Sequence, residues 1–578
     1  MRPSFLPRNI GFSAALRPNA WDLAALPLVL GVLWALAFSS IKMGLPYNLG
    51  DPLPIHLEPE YLPYYLMRSI LRMGAGLACA LAFTLIYATL AAKSKYAEKI
   101  LIPILDVLQS IPILGFEAIA VAPFIGLFPG SLLGVECASI FAIFTSQAWN
   151  MTFSFYQSLR TIPHDMREAA DMFHLSSWQR FWRLELPFAA NPLIWNMMMS
   201  VSGGWFFVVA SEALTVSGQT VMLPGIGSYI SAAIAQRDLG AIGYAILAML
   251  VAILLYDQLF FRPLLAWADK FKYESVPGEE IPESRFLDFM LRTRLMRLVA
   301  NVPTTLWNWT LPIFRRRSDG LGASPPPRRN YQWMEAGWNA ALALAAAYAL
   351  IRVGEFVSGE VPLSEIIDVF IKASVTAFRV LFLIAVATLV WVPIGVWVGM
   401  KPKVAQTVQP IAQFLAAFPS NLVFPIAVLL IVKFHLNVDI WTSPLMILGT
   451  QWYILFNVIA GASAIPTDLK DAAGNFGLKG WLRWKRLILP AIFPSYVTGA
   501  ITASGGSWNA SIVAEVVNWG DTTLTATGVG AYIADSQAKG DFQRTALGVC
   551  VMCLFVMLFN RQIWRRLYKL AEERWRIE

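Results

Sequence analysis

Long apolar runs alternate along this chain with short polar segments. Taking each run of about 20 apolar residues as one bilayer-crossing helix, the first half predicts helices at 21–43, 68–92, 104–128, 131–158, 188–214 and 240–265. The second half predicts 334–352, 372–400, 408–432, 440–462, 491–517 and 544–567. Six and six make an all-α membrane protein of about twelve transmembrane helices. The first run has Arg17 before it and Ala35-Leu36-Ala37 within it, as a secretory signal would; a matching run after Trp338 predicts that it stays as a helix.

One polar segment occurs twice. Arg167 to Pro187 reappears 303 residues later as Lys470 to Pro490, with ten of 21 positions identical and no gap. At the same offset Trp149 meets Trp452, Pro163 meets Pro466, Trp205 meets Trp508 and Glu212 meets Glu515. Gly225-Ile226-Gly227-Ser228-Tyr229-Ile230 meets Gly528-Val529-Gly530-Ala531-Tyr532-Ile533, and at an offset of 307 Arg72 meets Arg379 and Pro112 meets Pro419. The chain therefore divides into a first repeat at 1–265, a linker at 266–333 and a second repeat at 334–578. An even number of helices starts and ends each repeat on one side, so the repeats are parallel, related by an axis along the membrane normal.

Composition agrees with a membrane setting: 57% of residues are hydrophobic and 14% charged, and the mean hydropathy is +0.55. The net charge of +8 does not indicate nucleic acid, because the basic residues fall in short segments between apolar runs, where they orient the chain in the bilayer. Segments 1–20, 160–187, 266–333, 463–490 and 561–578 hold nearly all the loop Arg and Lys, whereas 44–67 and 353–371 hold none. Both termini and the repeated segment are thus expected to be cytoplasmic. Cys79, Cys137, Cys550 and Cys553 all lie in or beside apolar runs; they predict neither disulfide nor metal site. In the linker, residues 285–298 mix apolar and basic side chains as an interfacial helix does, serving either as a spacer or as a binding surface.

The repeated segment reads as a helix–turn–helix finger. Pro163 and Pro466 suit a first helical turn, Ala169, Ala170, Ala472 and Ala473 allow close approach, and His174 or Gly477 marks the break. A second short helix carries Trp178 or Trp481, and Pro187 or Pro490 opens the next span. A plain cytoplasmic hairpin would explain one such loop. Two call for a partner with two equivalent docking places.

The spacing of these residues resembles the signature loop of permease subunits of bacterial ATP-binding-cassette importers: an acid, two alanines, Gly at six, an aliphatic at sixteen, Leu at eighteen and Pro at nineteen residues beyond the acid. The first copy supplies Glu168, Ala169, Ala170, Leu184, Leu186 and Pro187; the second supplies Asp471, Ala472, Ala473, Gly477, Leu487, Leu489 and Pro490. It departs at His174 for Gly and at Asp471 for Glu. The segments Gly203-Gly204-Trp205 to Glu212 and Gly506-Ser507-Trp508-Asn509 to Glu515 resemble the nitrate, sulfonate, taurine and bicarbonate subgroup, here as two permease units fused in one chain.

The resemblance implies the type I importer fold and loops that seat in grooves of two ATP-binding subunits. It also implies an extracytoplasmic solute-binding protein, a bacterial inner-membrane location, and a small solute, an anion such as nitrate, taurine or bicarbonate. No G-x-x-x-x-G-K-[ST] occurs in the chain, so ATP and Mg are expected on the partner subunits, with no cofactor and no catalytic site here.

The charged residues in the spans leave alternatives open. Glu212 and Glu515 are read as gate or structural elements, or as solute contacts; Arg72 and Arg379 as an anion lure, or as side chains snorkelling to headgroups. Trp205 and Trp508 either line a pathway or pack, and Glu117 and Glu136 stay unassigned for want of an acidic twin. An ion-coupled transporter with internal repeats is the alternative reading, and would need ionisable groups in mid-span. A membrane scaffold would have no use for paired fingers.

Overall fold

The computed structural model describes residues 37–268 and 351–570, apart from 49–50, 52, 217–218, 358, 360, 464, 521 and 568, together with isolated positions among 27–34, at 293 and among 337–348. The linker, its expected interfacial helix at 285–298, and most of the runs at 21–43 and 334–352 lie outside the described residues.

In the first half, α1 (Leu62–Lys93), α2 (Lys95–Ser110), α3 (Ile113–Leu127) and α4 (Leu133–Arg160) lead into a short helix α5 (His164–Met172). Helix α6 (Ser177–Ser211) then passes into a hairpin of β1 (Ala213–Val216) and β2 (Gln219–Met222), followed by α7 (Ile226–Ala235) and α8 (Leu239–Ala268). The second half repeats the order. Its elements are α9 (Leu363–Gly399), α10 (Pro402–Ala417), α11 (Phe424–Lys433), the bent pair α12 (Val438–Ile447) and α13 (Gln451–Ser463), α14 (Thr467–Asn475) and α15 (Gly480–Ala514). They end with β3 (Val516–Trp519), β4 (Thr522–Thr525), α16 (Val529–Lys539) and α17 (Phe542–Leu567).

The fold is a helical bundle with two repeats, as expected, but the helices are not twelve unbroken spans. Six described helices are long and apolar enough to cross a membrane alone, and a seventh span is the pair α12 and α13, bent by 42°. The run expected at 104–128 is broken between α2 and α3, where Ile111 and Pro112 are extended. The run at 408–432 is broken at Phe418 and Pro419. Proline lacks the N–H a helix interior needs and drives the residue before it out of the α region. The pairing of Pro112 with Pro419 marked these breaks in the sequence.

The sequence reading also missed both β-hairpins. Ala213 pairs with Met222 and Val216 with Gln219, and in the second half Val516 pairs with Thr525 and Trp519 with Thr522. Short β-branched runs around Ser217-Gly218 and Gly520-Asp521 carry the signal, and Gly520 adopts the left-handed φ of +58° that such a turn needs.

Within each half a central packing joins α1, α4 and α6, or α9, α13 and α15. Between the halves the broken helices cross over: α10 packs on α6 and α8, while α2 and α3 pack on α17, and α3 also on α15. Each half thus completes the other. At one end of the bundle lie the hairpins, at the other the fingers.

Candidate functional site

The finger end is built by backbone geometry. Helix α5 closes at Phe173, whose N–H bonds to Ala169 O at 3.0 Å, and His174 then takes φ +48°. Phe476 bonds to Ala472 O at 2.9 Å and Gly477 takes φ +66°. Ser176 caps the next helix: its Oγ accepts from Gln179 N while Gln179 Oε1 accepts from Ser176 N, a capping box that fixes the entry angle. Arg180 closes on Asp171 across the turn, and His164 Nδ1 lies 3.2 Å from Glu168. Pro163 and Pro466 sit just before the first helical residue rather than inside the first turn.

Glu168, Ala169 and Asp471 are exposed, Ala472 is half-buried, and Ala170 and Ala473 are buried under the finger. Leu184, Leu186, Pro187, Leu489 and Pro490 are half-buried and Leu487 is buried at the root. There a π-helical turn, Phe181–Glu185 or Trp484–Ile488, joins finger to span in each half. The sequence reading named Trp481 on the second short helix but not Met172, Phe173 or Phe476 at the tip. Met172, Phe173, Phe476 and Trp481 are 80, 77, 83 and 72% exposed, and the identity of Phe173 with Phe476 was the available signal.

At the hairpin end the charged residues of α1, α4 and α6 converge. Arg72 donates from Nε to Glu136 Oε2 at 2.6 Å, from Nη2 to Glu136 Oε1 at 2.7 Å and from Nη1 to Glu212 Oε1 at 2.7 Å. Arg68 also pairs with Glu136, and its Nη1 donates to Ser39 O at 3.1 Å. All four side chains have no exposure.

Glu212 stands at the C-terminus of α6, where the helix dipole disfavours an anion. Its carboxylate instead folds onto the N-terminus of α7, accepting from Gly227 N at 2.6 Å and from Ser69 Oγ at 2.6 Å, while Ser69 accepts from Ile226 N at 3.0 Å. A Cβ on Gly225 would overlap that carboxylate. This is the physical reason for a glycine there.

The second half repeats the arrangement less tightly. Thr376 Oγ1 donates to Glu515 Oε1 at 2.7 Å and accepts from Val529 N at 3.0 Å; Ala531 N donates to Glu515 Oε2 at 3.0 Å. A Cβ on Gly528 would overlap Glu515. Arg379 reaches Glu515 at 3.3 Å, Thr527 O at 2.7 Å and Asp439 Oδ1 at 2.7 Å. Val375 stands where the first half has Arg68, so one guanidinium faces two carboxylates, and Asp439 is 49% exposed.

Three readings are corrected here. Arg72 and Arg379 do not snorkel, and neither presents an open cation to a solute, because carboxylates occupy their donors, buried Glu136 and Glu212 in one half and buried Glu515 with half-exposed Asp439 in the other. Glu136 is not unassigned: it bridges Arg68 and Arg72. Its counterpart at the offset of 303 is Asp439, which lies just before the run expected at 440–462.

Trp205 and Trp508 are each 1% exposed. Trp205 stands edge-on to Tyr256 at 6.0 Å, and Trp508 lies 6.4 Å from Phe555 and 6.1 Å from Phe559. Each packs on the last helix of its own half, and Trp205 also walls a cavity of about 300 Å³ beside Phe414. Asn509 ties the halves together: its Oδ1 accepts from Ile113 N at 2.6 Å, filling the donor left by the break at Pro112.

Residues 56–261 and 391–575 each match one family, described as the binding-protein-dependent transport system inner membrane component. Among curated proteins the chain is 28% identical over 170 residues to a glycine betaine/carnitine transport permease protein of Listeria monocytogenes, covering 29% of this chain and 54% of the relative. It is 26% identical over 197 residues to a nitrate import permease protein of Synechocystis, covering 32% and 69%. To a bicarbonate transport system permease protein of Synechococcus elongatus it is 28% identical over 177 residues, covering 31% and 60%. The aligned stretch thus spans between about half and about two thirds of these relatives.

Proposed function

Since this chain belongs to the family of binding-protein-dependent transport system inner membrane components, carrying its domain twice, we propose that it forms the whole translocation pathway of an ATP-driven importer. Two permease units that other members of such systems supply as separate chains are joined here by the linker. The observation that carries this reading is the pair of fingers, built alike and 303 residues apart, each presenting an exposed aromatic tip and joined to its span by a π-helical turn. An element that transmits force must be stiff and must have something to hold.

In this reading the fingers are cytoplasmic and dock on two ATP-binding subunits, which bind ATP and Mg and perform the hydrolysis. The chain itself makes and breaks no bond. The hairpin end faces outward and receives solute from a binding protein, and both termini lie on the finger side. The relatives that carry nitrate or bicarbonate in their names support a small anion as solute.

The test is retention of ATP-binding subunits by the purified chain. Wild type is expected to hold them, and Glu168→Arg combined with Asp471→Arg to release them. Undiminished retention would remove the fingers from the interface, and solute accumulation driven by an ion gradient without any ATPase would overturn the importer reading.

A further inference from the structure

A second, smaller cavity lies on the seam between the halves. It has a volume of about 60 Å³ and its walls include Gly203 and Phe206 of α6, Ser420 and Thr450 at the two breaks of the second half, Tyr453 of α13 and Gly506 of α15. Gly203 is nine residues before Glu212, roughly 13 Å along the helix from the buried charges at 1.5 Å per residue. No Asp, Glu, Lys, Arg or His takes part in its wall.

Its hydroxyls are not all spoken for. Thr450 Oγ1 shares a hydrogen bond with Ser507 Oγ at 2.9 Å, but Ser420 Oγ and Tyr453 Oη have no partner among the described residues, although Ser420 is only 6% exposed. Both residues line the cavity, so both hydroxyls are free to donate to an oxygen that enters it. The glycines set the width. A Cβ on Gly203 would overlap Tyr453 Oη, and one on Gly506 would overlap Thr450 Cγ2. These two glycines are equivalents at the offset of 303, whereas Tyr453 is matched by Asn150, whose Oδ1 is taken by Gln109 Nε2 at 3.3 Å.

We propose that this cavity is the selective constriction of the pathway: Tyr453 Oη against the Gly203 backbone forms the gate, and Ser420 and Tyr453 hydroxyls read the solute as it passes. The proposal rests on the permease reading. Neutral donors in a low-dielectric site stabilise the oxygens of a compact solute of at most one negative charge. A divalent oxyanion would need a cation there, because the desolvation of bare charge is far larger than a few hydroxyls can offset. The guanidinium groups of Arg68, Arg72 and Arg379 are held in the hairpin-end clusters. Selection is therefore by size and by hydrogen-bond acceptance, with multiply charged oxyanions excluded.

Thiol labelling tests this without knowledge of the solute. Ser420→Cys is placed on the full chain with Cys79, Cys137, Cys550 and Cys553 changed to Ala, in membrane vesicles containing its ATP-binding subunits. The probe is a monoanionic sulfonatoethyl thiol reagent, with a divalent analogue of similar size as comparison. Leu247→Cys, on the outer face of α8, is the lipid-facing control. Ser420→Cys is expected to react about ten-fold faster than the control, a difference of about 1.4 kcal/mol in barrier, and about ten-fold faster with the monoanion than with the divalent reagent. Adding Gly203→Val should abolish the reaction, and adding Tyr453→Ala should accelerate it. A rate equal to the control, or one indifferent to Gly203→Val, overturns the constriction; equal rates with both reagents overturn the charge rule. Labelling that depends on Gly203 but not on ATP would leave the constriction standing while counting against the ATP-driven reading.

Discussion

Arg72 Nη1 lies 2.7 Å from Glu212 Oε1 with neither side chain exposed. The equivalent Arg379 Nη1 stands 3.3 Å from Glu515 Oε1 and keeps 10% of its side chain accessible. The same constellation is therefore closed in one half and looser in the other. Removing one partner of a fully buried pair strands the other charge, at a cost of about 3–5 kcal/mol. Arg72→Met is expected to lower the melting temperature of the purified chain far more than Arg379→Met, where half-exposed Asp439 can turn to water. Equal losses would show that the two clusters are energetically alike.

The glycines facing these carboxylates differ from those in open space. Gly225→Ala or Gly528→Ala would push a methyl into Glu212 or Glu515, and overpacking of this kind costs about 1–3 kcal/mol. Gly474, inside α14 with nothing within 4 Å of an added Cβ, should instead gain about 0.5–1 kcal/mol on change to Ala. Denaturation midpoints of the three variants give the comparison, and a stabilising Gly528→Ala would contradict the cradle.

His174 occupies the left-handed region at φ +48°, where its equivalent is Gly477. That conformation costs a residue with a Cβ about 1–2 kcal/mol. His174→Gly is expected to leave the first finger intact and slightly stabilised, while Gly477→Ala should weaken the second by a similar amount. Proteolysis rates at the two fingers report the difference.

Charge reversal at either finger alone separates their contributions. Glu168→Arg and Asp471→Arg should each impair ATP-driven uptake, to different degrees, because the two tips carry different neighbours: His174 and the Asp171–Arg180 pair in one, Gly477 with exposed Trp481 in the other. Identical losses would mean that the asymmetry has no consequence.

Asn509 is the acceptor that satisfies the first N–H of α3 across the seam. Asn509→Leu should cost about 1–3 kcal/mol by stranding that N–H, and Asn509→Asp, which keeps the acceptor, should cost less. If the two variants unfold alike, the bond from Ile113 carries no weight.

Much of this was legible along the chain, because local chemistry alone determines it. Apolar runs can lie only in lipid or core, which predicted the spans around α1, α6, α8, α9, α15 and α17. A segment that repeats with ten identities among 21 positions located both fingers, and the helix break at Gly477 followed from backbone preference, with His174 marked by its alignment to it. Proline chemistry at Pro112 and Pro419 also lay in the sequence, though its consequence, two broken helices, was overlooked.

What the sequence could not decide is which charges meet. Arg72, Glu136 and Glu212 are 64 and 76 residues apart along the chain, and an arginine about a turn inside a span looks the same whether it reaches headgroups or a buried carboxylate. Only the packing of α1 against α4 and α6 removes water from that point and forces ion pairing. The seam cavity is likewise a tertiary fact: Gly203 and Tyr453 come from different halves, and nothing local to either announces that one makes room for the other. Sequence determined the parts that obey the bilayer and the backbone; burial, which depends on every neighbour at once, decided the electrostatics and the seam cavity.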